Sequence, residues 1–156
     1  MKTKDQLFVT VVGSIGLLLA SHTCAQTSET ARQALEQIAH AEKLWETASV
    51  DSYELTVRYS AFMLEYGCDV QSFRVVRNRA KPLASRKCKS RPDVLGTVSA
   101  LFRLAREELT VYSDEVIFSF DPELGYPVEF YCGFSDMDDA YFAFEIVKFE
   151  PLESAK

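Results

Sequence analysis

Eight bases stand between positions 74 and 91 with no acid among them: Arg74, Arg77, Arg79, Lys81, Arg86, Lys87, Lys89 and Arg91. Guanidinium and ammonium groups at that density attract phosphates, acidic polysaccharide, anionic lipid headgroups or an acidic protein. Bases on exposed strands also discourage edge-to-edge aggregation, a role that requires no partner. A second cluster is acidic. Asp136, Asp138 and Asp139 offer oxygen ligands suited to calcium, with Asp121 and Glu123 close to them if the preceding hairpin folds back. The helix–loop–helix calcium pattern fails, because its glycine position holds Tyr141 and its closing glutamate position holds Val147. A solvated turn between strands is the expectation there.

Nucleophilic chemistry finds little to build on. Beyond the first 25 residues the sole histidine is His40, on the polar side of a predicted helix. No G-x-S-x-G elbow surrounds a serine, and no cysteine lies near His40. Phosphate-cradling glycine loops and Cys/His metal spacings are missing from the sequence as well. No catalytic residue, metal or cofactor is therefore assigned. The expected role is a non-enzymatic binding or interaction protein, with the basic segment facing an anionic envelope component or a protein partner. A carboxylate-based hydrolase and a calcium-binding protein are the alternatives.

Lys2 and Lys4, an apolar run from Leu7 to Ala20, and small residues at Thr23 and Ala25 follow the order of a secretory signal peptide. Cleavage is expected after Ala25, giving residues 1–25 as signal and 26–156 as one globular domain in the periplasm. Lipidation of Cys24 is the competing reading, although Ser21, His22 and Thr23 depart from the residues that a lipoprotein motif prefers. No later stretch is long and apolar enough to span a bilayer, so no transmembrane segment is expected in the mature chain. Removing Lys2, Lys4 and Asp5 from 17 bases and 23 acids leaves 15 and 22, a mature charge of −7. That balance, together with export, argues against nucleic acid.

The elements that carry these residues follow from periodicity. Ala31, Ala34, Leu35, Ile38, Ala41 and Trp45 form one stripe of a helix from Ser28 to about Thr47. Tyr53 to Leu64 alternates as a long strand, and Ser72–Val76 makes a second. A turn at Asn78–Lys81 leads to a weaker strand from Pro82 to Cys88. Thr97 caps a second helix, whose stripe is Val98, Leu101, Phe102, Ala105 and Leu109. Val116, Phe118 and Phe120 alternate before Asp121-Pro122-Glu123-Leu124-Gly125-Tyr126-Pro127, and Val128, Phe130 and Cys132 alternate after it. Asp121 and Pro122 start a turn, Gly125 supplies a positive φ, and Pro127 holds Tyr126 extended. Tyr141–Phe149 is the last strand. The expected fold is a two-layer α+β domain in the order α-βββ-α-βββ, with about six antiparallel strands and two helices on one face.

Three cysteines remain after cleavage, and an oxidising compartment favours one disulfide. Cys68 and Cys88 bracket the second and third strands and are the expected pair, while Cys132 reads as a small buried apolar residue.

Taken together, certain residues occur in a familiar order: Leu44-Trp45, Asp51-Ser52-Tyr53, Cys68, Thr97-Val98 through Leu101-Phe102, Phe120 through Pro127, Asp138-Asp139, and Phe149-Glu150-Pro151. The chain resembles a family of uncharacterised bacterial exported proteins and lipoproteins, known only as a domain of unknown function. The D-P-x-x-G-Y-P loop is the most specific part of the likeness. Members often carry a Cys-x-Cys pair at the end of the first strand; here Cys68 has no such neighbour. The resemblance implies a fold and a compartment, and it brings no activity with it.

Overall fold

Alternation of apolar and polar side chains builds the sheet, and two apolar stripes lay helices across it. The computed structural model describes residues 29–61, 70–83, 91–111, 115–134 and 137–152, without the side chains of residues 29 and 137–140. Helix α1 (Glu29–Ala48) buries Ala31, Ala34, Ile38, Ala41 and Trp45 and exposes Glu36, His40 and Lys43. It ends at Ser49, whose φ of 53° turns the chain out of the helix. Strands β1 (Ser52–Ala61), β2 (Val70–Val76) and β3 (Arg79–Pro82) follow as an antiparallel meander. A single turn, α2 (Pro92–Leu95), and helix α3 (Val98–Leu109) come next. Strands β4 (Glu115–Phe120), β5 (Pro127–Phe134) and β6 (Met137–Pro151) complete the sheet.

The six strands lie in the order β3-β2-β1-β6-β5-β4, antiparallel throughout. This is the expected two-layer α+β architecture. The central pair joins the first strand to the last, and the α2–α3 segment carries the chain from one edge of the sheet to the other. Tyr53, Leu55, Val57, Phe73, Val75, Phe130, Cys132, Phe142, Phe144 and Ile146 point into one core with Leu101, Phe102, Leu104 and Leu109 of α3. Each large side chain so buried contributes roughly 1.5–3 kcal/mol. The opposite face, with Glu54, Arg58, Arg74, Ile117, Glu129 and Glu145, has no described helix over it.

Local expectations needed two corrections. The hairpin turn is Arg77-Asn78, and Val76 pairs with Arg79, so Arg79–Pro82 is strand and not turn. Both turn residues have positive φ, 49° and 59°, the pairing of signs that a two-residue hairpin needs to match the strands' twist. Residues 84–90 of the expected third strand lie outside the described residues. The last strand starts at Met137, so Asp138 and Asp139 belong to strand backbone instead of a turn. It reaches that length because its two neighbours are offset, with β5 pairing its first half and β1 its second.

Candidate functional site

The basic segment is divided by the fold. Arg74, Arg79 and Lys81 alternate onto the open face of β2 and β3, where Arg74 opposes Lys81 and Val76 opposes Arg79. Arg74 turns inward along the sheet to Glu54, with Nε and Nη2 donating to Oε1 at 3.0 and 2.6 Å. Arg77 occupies the turn, and its backbone N–H donates to the carbonyl of Asp51 at 2.8 Å. The side chains of Arg77, Arg79 and Lys81 make no ion pair with any described residue. With Arg74 and the half-exposed Val76 they line a groove of about 710 Å³. Arg86, Lys87 and Lys89 lie outside the described residues. Arg91 stands apart, at the head of α2 on the covered face, with Nε directed to Asp93 at 3.4 Å.

Among the described residues, the three non-glycine positions with positive φ, Ser49, Arg77 and Asn78, line one recess beside Trp45 and Tyr53. This end of the sheet also collects most of the residues on which the resemblance rests. Tyr53 packs edge-on against Trp45 at 5.5 Å and lies 5.1 Å from Phe149, and Phe149 stacks on Tyr126 at 4.3 Å. The Tyr53 hydroxyl accepts from the N–H of Val98 at 3.0 Å, and burial pushes its pKa up to about 12. Asp121 Oδ1 accepts from the N–H groups of Glu123 and Leu124, fixing the loop. Gly125, at φ 78°, presses on α1: a Cβ there would stand 2.9 Å from Leu44 Cβ and from Trp45 N, and closer still to the carbonyl of Ala41. Pro127 opens β5. Asp121, Gly125, Tyr126 and Pro127 thus dock a hairpin onto a helix, while Pro122 is exposed in the loop.

Asp121 and Glu123 do not fold back toward Asp138 and Asp139. Asp121 and Glu123 precede β5 and Asp138 and Asp139 follow it, so the strand's eight residues hold the two sets roughly 25 Å apart. Asp136 and the side chains of Asp138 and Asp139 lie outside the described residues. Among the described residues no group of three His, Cys, Asp or Glu side chains could hold a metal ion. A different carboxylate pair emerges on the open face. Glu129 and Glu145 are cross-strand partners beside Tyr131, with Glu115 at the edge, around a groove of about 290 Å³. Arg58 bridges to Glu145 at 2.6 Å, offsetting the like-charge pair. Register brings these residues together, and no spacing along the sequence announces them. The open face is consequently polarised, cationic at the β3 edge and anionic toward β4.

His40 is exposed and has no hydrogen bond to a described residue. Cys132 is fully buried, free, and pushed up to about 12 by burial and the nearby Glu108 carboxylate. Cys68 and Cys88, the expected disulfide, lie outside the described residues. No helix among the described residues is long and apolar enough to cross a membrane.

The model of a family of unknown function, DUF6174, matches residues 37–151. No curated protein and no solved structure matches the chain.

Proposed function

We propose that this chain, which belongs to DUF6174, a family of unknown function, acts as a non-enzymatic binding protein whose cationic β2–β3 end engages an anionic partner. One observation carries the reading. Arg77, Arg79 and Lys81 surround an open groove without a counter-ion among the described residues, whereas Arg74 beside them is neutralised by Glu54. Three bases on one short hairpin create a local positive potential on a protein that is acidic overall. Phosphate or carboxylate groups fit that groove, and Val76 adds apolar surface between the bases. Arg86, Lys87 and Lys89 add three further bases in the adjoining sequence.

The signal-like order of Lys2, Lys4, the apolar run 7–20, Thr23 and Ala25 supports a partner at the cell envelope. In this reading residues 26–156 are the exported domain, and a Cys68–Cys88 bridge closes the segment that carries the basic hairpin.

Co-sedimentation of residues 26–156 with anionic vesicles, at low salt and at about 1 M salt, tests the proposal. The Debye length shrinks from about 10 Å at 0.1 M to about 3 Å at 1 M, so binding should fall steeply. Arg79→Ser with Lys81→Ser should weaken binding at low salt without moving the melting curve. A parallel titration with acidic polysaccharide separates lipid headgroups from carbohydrate as the source of charge. Failure to bind either probe at low salt, or equal binding at both salts, would overturn the proposal.

A further inference from the structure

A different site lies on the covered face, between β1, β2 and the α2–α3 segment. Gln71 stands on the core side of β2, in the same row as Phe73 and Val75, and is 5% exposed. Its Oε1 accepts from the backbone N–H of Arg91 at 2.9 Å. A backbone N–H can only donate, so this bond fixes which way the amide faces. Nε2 has no hydrogen-bond partner among the described residues. An unsatisfied buried amide N–H is costly, and neighbouring apolar residues show that the row accepts hydrocarbon.

Gln71 lines a cavity of about 270 Å³, just under the roughly 300–1,000 Å³ usual for ligand sites. Val94, Leu95, Leu104 and Tyr59 give it apolar walls, Glu107 and Glu108 supply carboxylates, and Arg91 adds a guanidinium. Burial holds the Glu108 carboxyl above its ordinary pKa, as does the neighbouring Glu107, which marks Glu108 as partly withdrawn from water. A ligand suited to these walls has a carbonyl for the Gln71 donor, a cation for the acids and an aliphatic group for the leucines.

We propose that this cavity binds an α-amino amide, the chemistry of a peptide's N-terminal residue, with its carbonyl on Gln71 Nε2, its ammonium beside Glu107 and Glu108, and its side chain against Leu95 and Leu104. The site is separate from the cationic hairpin and does not depend on it. A free amino acid is the competing ligand, because the Arg91 guanidinium in the same lining suits its carboxylate, and leucine binding more tightly than leucinamide would overturn the amide assignment.

Calorimetric titration of residues 26–156 with leucinamide is the test, with Leu-Gly-Gly as the peptide arm. Saturable binding at about 1 mM or tighter is expected from leucinamide. N-acetyl-leucinamide, which keeps the carbonyl and loses the ammonium, should bind at least about tenfold more weakly, a difference of about 1.4 kcal/mol. Gln71→Leu should abolish binding while the variant still unfolds in one cooperative transition, which separates loss of the site from loss of the fold. Leu-Gly-Gly binding as well as leucinamide assigns the site to peptides, and leucinamide binding alone assigns it to free amides. No saturation by leucinamide, equal binding of the acetylated compound, or unchanged binding by Gln71→Leu would sink the proposal.

Discussion

Gly125 shows how much one atom weighs in this fold. Its φ of 78° and its approach to the α1 backbone both exclude a Cβ, so Gly125→Ala combines backbone strain with a clash at the hairpin–helix contact. A loss of at least about 1 kcal/mol is expected in denaturant unfolding, and an unchanged midpoint would refute the close approach. Arg77 presents the opposite case. Its φ of 49° is unfavourable for a side chain at the turn, so Arg77→Gly should stabilise the fold by on the order of 0.5–1 kcal/mol. If the cationic groove binds anions, the same variant should weaken that binding; a stability loss would show that the turn is not strained. The Cys132 thiol, pushed up to about 12 and fully buried, should resist alkylation at pH 8 until denaturant opens the core. Alkylation of the folded protein at that pH would contradict the burial.

At the scale of elements, α3 depends on its start. Thr97 Oγ1 accepts from the N–H of Ala100 at 3.0 Å, while the Tyr53 hydroxyl takes the N–H of Val98. Thr97→Ala should cost about 1 kcal/mol, and Thr97→Ser should recover most of it, as followed by thermal unfolding. That cap was legible in the sequence, as were the α1 stripe and the alternation of Tyr53, Leu55 and Val57, because each is a local pattern with its own period. Arg77-Asn78 was harder to place: Asn78 reads as a turn residue wherever the turn is centred, and only the Val76–Arg79 pairing sets the centre. The bulge between Thr56 and Val57, and the meeting of Glu129 with Glu145, arise from strand register. Register is a property of two distant segments at once, so no window of sequence contains it. The cationic groove was half legible for the same reason. The bases are consecutive in the chain, but the fold sends Arg74 to Glu54 and Arg91 to the opposite face.

For the whole molecule, the covered layer sets an alkaline limit. Tyr53 is raised from 10.0 to about 12 and Cys132 from 9.0 to about 12, both by burial of the neutral form. Their contribution is fully present below the lower, unfolded values and disappears as pH rises toward 12. Tyr53 alone accounts for on the order of 3 kcal/mol across that window. Denaturant midpoints measured from pH 8 to 11.5 should fall accordingly, and a flat profile would argue against burial of both groups.

The pairing of β1 with β6 also governs when the protein can exist. Tyr53 meets Pro151, so the middle of the sheet waits for residues made roughly 100 positions later, among the longest closures this chain can offer. A ribosome working at about 5–20 residues per second leaves β1 without its partner for several seconds or more. During that time the nascent chain carries Tyr53, Leu55, Val57, Phe73 and Val75 with nothing to cover one side of the meander. A fragment ending at Phe134 should accordingly show little protection from hydrogen exchange, although it retains five of the six strands. Until its last strand arrives, the newborn polypeptide holds an open β1 edge in the middle of its future sheet.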